Sequence, residues 1–487
     1  MTTPHPDAPG DAPSPDGSGR AQRWRPEVFA PFAEGPGVVF ARTAARSPEF
    51  GRTSASGAAR VLIGGAAGDD RADVALRARG ELLERMGNVL AGRAAESAAR
   101  WVGDHDGWRR RGVPALDPAE FGDGTGGTDA RAVRQLWVPA RSALTGAELL
   151  VPAGEVFLQH RPPPGCGTTS GAGSTGLGAR PDREAAAGHA AYELLERDVI
   201  RRSWYGPGVP PRAVPADDLL PGPVRLLLAA LGLRAALLAL PAPAGTECAV
   251  VCVHGGAPPG RPGQSFGARC ARAGDRAATV ARAAYEALMV RWSMTSPVAL
   301  RTWEGWGGRT PPRTALEHAL WAFHGQDALG HWTGRGRGGA GDALDGGRGD
   351  ATGARPERAG PESRADGVTD GVTDGVTAGP GDTTMPRPRR EGPGTRPGDR
   401  VDGSGGGPVD AVRAPYGRGS CDRRPAEPSG GLAALAAHTG GDVLLVDTDT
   451  PGIRAEGVRV VRVIAPGARP LPADDSRMPG ALPHPFG

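Results

Sequence analysis

Lysine is absent from this sequence: all 57 of its Lys-plus-Arg positions are arginine. That absence excludes whole classes of chemistry. A Schiff-base enzyme needs a lysine amine, a Walker A loop needs its lysine on the β- and γ-phosphates, and a protein kinase needs one on its third strand. Complete replacement of Lys by Arg, alongside richness in Ala, Gly and Pro, reads as a coding bias acting on the whole chain. Cysteine is scarce as well. Cys166, Cys248, Cys252, Cys270 and Cys421 make an odd number, five, with neither Cys-x-x-Cys nor Cys/His zinc spacing, so they read as thiols kept in a reducing compartment. There is little excess charge of either sign: a formal +3 over 487 residues, with arginines scattered among acids, lacks the basic stripe that a nucleic-acid partner requires. No long hydrophobic run is present. The most apolar stretch, Leu226 to Leu240, is short and interrupted by Gly232 and Arg234, and is expected to be a buried helix, not a membrane span. The opening Met-Thr-Thr-Pro-His-Pro-Asp lacks the charged and apolar regions of a signal peptide, which sets the expectation of a cytoplasmic protein with no membrane partner.

Glycine and proline are in excess, at 78 and 49 residues, together more than a quarter of the chain and a mark of low-complexity segments. Residues 1–35, rich in Pro, Asp, Gly and Ser, are expected to form a disordered tail. Residues 326–431 are expected to form a disordered insertion: they turn to Gly, Arg, Asp, Pro and Thr and carry a tandem Asp-Gly-Val-Thr repeat from Asp366 to Thr377. Around the insertion lie two patterned blocks, 36–325 and 432–487. The second contains two short β-branched runs, Gly441 to Asp447 and Val458 to Ile464. Two strands cannot stand alone, so they are expected to complete a sheet begun in the first block.

A repeat lies inside the first block. Three times a Gly-rich lead enters an Ala-rich helix, ending in Arg79-Gly-Glu81-Leu-Leu-Glu84-Arg85, in Tyr192-Glu193-Leu-Leu-Glu196-Arg197, and in Ala284-Tyr285-Glu286-Ala-Leu-Met-Val-Arg291. Glu at i and i+3 and Arg at i+4 share one helix face, so each of the first two copies presents two carboxylates beside a guanidinium. A single copy is ordinary surface pairing. Identical Glu-Leu-Leu-Glu-Arg strings 112 positions apart point to more. Converging carboxylates repel unless a cation sits among them, and a hard, oxygen-liganded Mg²⁺ carrying triphosphate suits such a cluster.

With these residues the chain resembles the YcaO superfamily, specifically its thiazole/oxazole-forming peptide cyclodehydratases. Arg77-x-x-x-Glu81-x-x-Glu84-Arg85 and His189-x-x-x-Glu193-x-x-Glu196-Arg197 resemble the family's first two acidic motifs, and Arg282-x-x-x-Glu286 resembles the third. Further resemblance lies in the Gly/Ser-rich Thr168 to Thr175, in Trp137-Val-Pro-Ala and Val151-Pro-Ala, and in the closing runs Val446 to Gly452 and Val460 to Gly467. The terminus Leu482-Pro483-His484-Pro485-Phe486-Gly487 resembles the family's Pro-x-Pro-x-Pro ending. Four features depart from the pattern: Arg77 replaces a Ser, His189 a Gln and Gly487 the last Pro, and the Gly-rich loop Gly64 to Gly68 has no Lys.

The resemblance implies a mixed α+β fold in which acidic helices pack on β-sheets, and an ATP- and Mg²⁺-dependent cyclodehydration of Cys, Ser or Thr in a ribosomally made precursor peptide. It implies that Glu81, Glu84, Glu193, Glu196 and Glu286 are Mg²⁺ ligands, that they share the nucleotide site with Arg85, Arg197 and Arg291, and that Pro483 and Pro485 help organise the catalytic site. It also implies partners: the precursor peptide, an E1-like leader-peptide-binding protein, and a flavin-dependent azoline oxidase. Two alternatives stay open, thioamide or amidine formation by the same activation, and a non-catalytic scaffold.

Overall fold

Three Asp-Arg steps in the sequence open three long helices. Asp70, Asp182 and Asp275 each turn a side-chain oxygen onto backbone N–H groups of the first turn, those of Ala72 and Asp73, of Ala185, and of Ala278. These caps satisfy donors that have no partner inside a helix. The helices are α1 (Arg71–Ala98), α2 (Arg183–Tyr205) and, after the shorter α3 (Gly222–Ala230), α4 (Arg276–Met294). Two more of comparable length to α3 follow, α5 (Pro297–Trp306) and α6 (Gly430–Thr439). The computed structural model describes residues 24–51, 60–121, 129–169, 171–206, 209–216, 218–256, 262–334, 430–472 and 482–486.

Among the described residues the strands form three antiparallel sheets, as expected for the α+β class. The first holds β1 (Glu27–Phe29), β2 (Val39–Ser47) and β3 (Arg60–Gly68) in that order. The second is built on β4 (Val102–Gly103), β5 (Gln135–Ser142), β6 (Glu148–Pro152) and β7 (Leu177–Arg180), joined by β12 (Leu444–Asp447) and β13 (Arg459–Ile464) in the order β4-β5-β12-β13-β7, with β6 also paired to β5. The third runs β11-β10-β9-β8, from β8 (Arg212–Val214) through β9 (Arg234–Leu240) and β10 (Thr246–His254) to β11 (Ser265–Arg272). β12 pairs with β5, and β13 with β7. The final block therefore fills the middle of a sheet begun by the first, and the two are one folded unit. Val461 and Val463 of β13, Val250 of β10, and Leu195 and Ile200 of α2 share one apolar core between the second and third sheets.

Several expectations change. Leu226–Leu240 is not one helix: α3 ends at Ala230, Gly232 turns the chain with a φ of 63°, and Arg234–Leu240 is strand β9. The turn needs a positive φ, which glycine adopts without strain. The ordered chain also reaches further than the composition suggests. Glu27–Phe29, within the expected tail, pairs with β2, and Phe29 packs against Phe40 and Trp292. Ala328–Trp332, within the expected insertion, is a short helix that buries Leu329 and Trp332 in the main core. Residues 335–429, the bulk of the expected insertion, and residues 1–23 of the tail lie outside the described residues. Cys166, Cys248, Cys252 and Cys270 carry free thiols; Cys421 lies outside the described residues. Cys248 and Cys270 face each other across β10 and β11. No described helix is long and apolar enough to cross a membrane.

Candidate active site

Each long helix lies on the edge strand of a different sheet and also touches the next: α1 covers β3 and reaches β7, α2 covers β7 and reaches β11, and α4 covers β11 and returns to β3. The three helices thus close a ring, with their inner faces turned to one centre. Glycine makes the packing possible. A methyl group on Gly64, Gly178 or Gly267 would overlap the helix carbonyl of Ala78, Ala186 or Ala283 respectively. The expected Gly-rich loop Gly64 to Gly68 is therefore the end of strand β3, with Gly64 pressed against α1.

The registers of the three helices are not the same. Counted from the capping Asp, all three place a Glu at the eleventh position, Glu81, Glu193 and Glu286. The residue meeting the strand glycine is the eighth in α1 and α4 but the fourth in α2. α2 is slid along its strand by one turn, about 6 Å for four residues. The consequence is chemical. Glu81 accepts a hydrogen bond from the Gly65 N–H of β3 at 2.6 Å, and Glu286 from the Ala268 N–H of β11 at 3.0 Å. At the matching height in α2 stands His189, and Glu193 is carried one turn further on.

Of the five acids, three are committed to protein partners. Glu81 also pairs with Arg85 at 2.6 Å, and Arg85 donates to the Ile63 carbonyl. Glu196 accepts from the Cys270 N–H at 2.9 Å, while Arg197 lies between Glu196, at 3.5 Å, and Glu286, at 3.8 Å. Glu84 and Glu193 have no hydrogen bond or ion pair among the described residues. Burial, then repulsion from Glu193 and Glu81, pushes Glu84 up to about 8 against the pull of Arg85 and Arg180. Burial likewise raises Glu193 to about 7, with Glu196 adding to it and Arg197, Arg269 and Arg462 opposing. Glu286 rises to about 7 by burial and by Glu196, opposed chiefly by Arg197. These are carboxylates short of positive charge.

Other guanidiniums surround the pair. Arg462 of β13 is buried, donates to the Gly173 carbonyl at 2.7 Å, and is pushed down to about 10 by burial despite Glu155, Glu193 and Glu84 nearby. Its Nε has no partner among the described residues. Arg269 of β11 lies 3.3 Å from His189 Nδ1. His189 is held well below its usual pKa by burial and by Arg180 and Arg269, so it is a neutral imidazole. Sequence reasoning did not single out Arg180, Arg269 and Arg462. A signal for the first two was present, because Gly-Ala-Arg ends β7 as Gly178 to Arg180 and recurs in β11 as Gly267 to Arg269.

Two expected groups lie elsewhere. Arg291 donates to the carbonyls of Gly255 and Gly263, both at 2.7 Å, and stacks over Phe323. It ties down the β10–β11 connection and does not join the acids. Pro483 and Pro485 are buried in a docked terminus: Trp204 donates to the Leu482 carbonyl at 2.8 Å, His484 stacks on His318 with ring centres 3.7 Å apart, and Phe486 enters the core against Phe266 and Trp332. The tail sits at the C-terminal end of α2, with His484 feeling the charge of Arg197. Gly487 lies outside the described residues. A cavity of about 390 Å³ beside β8–β10, lined in part by Arg212, Leu237 and Arg276, includes none of the five acids.

Among the described residues no three His, Cys, Asp or Glu side chains converge closely enough to hold a metal ion unaided. The donor set nevertheless fits Mg²⁺, which takes one or two carboxylates and completes its shell with water and phosphate oxygens. Glu84 and Glu193 are the oxygen donors left without a partner.

Comparison with known proteins follows the same line. A family model described as YcaO cyclodehydratase, ATP- and Mg²⁺-binding, matches residues 57–335. Similar in fold is a heterocyclase solved in complex with substrate and cofactor, at a TM-score of 0.52 and 14% identity, the match covering 91% of this chain and 50% of that one. This chain therefore spans half the length of that heterocyclase. YcaO from Methanopyrus kandleri bound with AMPPCP and Mg²⁺ matches at a TM-score of 0.49 and 18% identity, over 95% of this chain and 90% of that one. No curated protein sequence matches this chain.

Proposed function

The chain belongs to the YcaO family, and from that membership and the acidic centre we propose that it uses Mg²⁺·ATP to close Cys, Ser or Thr side chains of a peptide onto the preceding backbone carbonyl. The observation that carries this reading is the Glu84–Glu193 pair, half-buried, mutually repelling and free of hydrogen bonds among the described residues, with guanidiniums around it. Such a centre neutralises and positions a metal-bound polyphosphate; it offers no nucleophile of its own.

The nucleophile is the substrate's. Its thiol or hydroxyl attacks the carbonyl carbon and loses its proton, the carbonyl oxygen takes the γ-phosphoryl group of ATP, and that oxygen then leaves as phosphate while the amide nitrogen gives up its proton and the ring C=N forms. ADP, phosphate and a thiazoline or oxazoline result, and the peptide is lighter by one water per ring. Bound Mg²⁺ supplies charge neutralisation on the phosphates. In this assignment Glu84 and Glu193 hold the metal, Glu81, Glu196 and Glu286 fix the helices to their strands around it, and Arg85 and Arg197 balance the carboxylates and meet phosphate charge. The buried terminus carrying Pro483 and Pro485 steadies the end of α2 that bears Arg197. The substrate is a precursor peptide presented by an E1-like leader-binding partner, with later ring oxidation by a flavin enzyme.

High-resolution mass analysis of a precursor peptide, incubated with this chain, the partner and Mg²⁺·ATP, tests the reading. The expected result is ATP-dependent loss of one water per modified residue. Exchange of oxygen for sulfur when a sulfur donor is supplied would assign thioamidation instead, and an unchanged mass with a partner of proven competence would overturn catalysis.

A further inference from the structure

Away from the acids, the third sheet ends in a gap that its side chains leave unfilled. β11 borders the acidic centre and β8 is the opposite edge. Residues paired across antiparallel strands share one face, and two neighbouring rows on that face differ in size. Val214, Leu237 and Val251 form one row and pack into the apolar core beneath α4. The next row is Arg212, Ala239 and Ala249, with two methyl groups where the first row has branched side chains. The space so left, under Thr279 and Val280 in the first turns of α4, is the cavity of about 390 Å³. Protein interiors leave few voids larger than a water molecule, and this one falls in the size range of small-molecule sites.

The cavity is open to solvent and unevenly charged. Val209, 68% exposed, and Arg212, also exposed, both line it and form its mouth. Glu247, two residues before Ala249 on β10, lines it as well. It accepts a hydrogen bond from Thr279 at 2.9 Å and lies 3.9 Å from the Nε of Arg276, so the charges of Glu247 and Arg276 offset each other. Arg212 has no hydrogen bond or ion pair among the described residues, and is left as the unbalanced charge beside an apolar wall. We propose that this cavity binds a small amphiphilic carboxylate, its apolar body against Ala239 and Ala249 and its carboxylate on Arg212. A guanidinium grips a carboxylate through two parallel N–H···O bonds, and the apolar body gains by leaving water. A free acid and the C-terminal residue of a peptide share this chemistry. The site lies outside the acidic centre, so it stands apart from the reaction proposed for that centre.

Calorimetric titration of the full chain with 4-phenylbutyrate and with its uncharged amide tests the site. The acid should bind one molecule per chain, roughly tenfold more tightly than the amide. Arg212→Gln should weaken the acid by about the same factor and leave the amide unchanged. Ala239→Phe fills the gap from the sheet side and should abolish binding of both, with a thermal midpoint no lower than that of the native chain. Arg225→Gln removes the same charge from an exposed position on α3 and should alter neither affinity. A parallel titration with N-acetyl-alanyl-phenylalanine separates the two sources: tighter binding of this peptide than of 4-phenylbutyrate assigns a peptide C-terminus, and weaker binding assigns a free acid. Absence of binding by all three compounds at millimolar concentration would overturn the site, as would equal affinity for acid and amide. Binding undiminished in a folded Ala239→Phe chain would do the same.

Discussion

Glu193 keeps a free carboxylate because the strand amide that its counterparts bind lies opposite His189 instead. Glu81 and Glu286, at the same distance from their caps, each accept a backbone N–H. This difference separates two classes of substitution. Glu84→Gln or Glu193→Gln relieves the crowding of two half-buried carboxyl groups, so ATP hydrolysis should fall by about a hundredfold or more, as for loss of a preorganised electrostatic group, while the thermal midpoint holds or rises. Glu196→Gln and Glu286→Gln should also lower stability, by about 1–3 kcal/mol, because each strand N–H loses a charged acceptor. Urea melts run beside turnover assays check both; equal destabilisation in all four variants would remove the distinction. His484 offers a pH test. Burial first, then His318, Arg197 and Arg201, hold its pKa well below 6.5 against the pull of the Pro472 carbonyl. The unfolded chain takes up a proton near that value and the folded chain does not, so stability is full above it and declines as the pH drops below it. Between about pH 7 and about pH 5 the midpoint of the native chain should fall further than that of His484→Gln, measured by scanning calorimetry.

At the scale of elements, the fold depends on helices pressed onto strands. Alanine on both sides narrows the gap, and glycine at the contact removes the last obstacle. Gly64→Ala, Gly178→Ala and Gly267→Ala each place a methyl against a helix carbonyl, and backbone cannot yield as a side-chain end does. Each should cost about 3 kcal/mol or more, at the upper end of overpacking effects, read as a lower urea midpoint. An exposed glycine such as Gly222, with open space around its Cβ position, should tolerate the same change. The element scale is also where reading from sequence alone went astray. Leu226–Leu240 has the hydrophobicity of a buried helix, but a helix and a buried strand leave the same mark over a few residues. Gly232 marks the break between them.

For the whole molecule, the last block of the chain returns to the site. The final block supplies β12 and β13 to the sheet that bears β7, and β13 carries Arg462 to the acidic pair. The terminus then seals the core between α2, β11 and the helix Ala328–Trp332. Phe486→Ala should cost about 3–5 kcal/mol, as for other fully buried aromatics, and should slow ATP turnover through α2. Chemical denaturation beside a turnover assay checks this, and an unchanged midpoint would show that the terminus is not seated.

Local signals in the sequence were sufficient for the α+β class, the three acidic helices, the closing strands and the acids themselves, because caps, periodicity and a repeated Glu-Leu-Leu-Glu-Arg string are written in neighbouring residues. They could not say which of five equivalent-looking carboxylates would remain free. That depends on a one-turn slide of α2 along β7, set by where Gly178 meets Ala186, a contact that exists only once helix and strand are packed. The grouping of Arg77, Arg180, Arg269 and Arg282 was likewise undecided, since they are scattered along the chain and become neighbours only through the ring of three sheets.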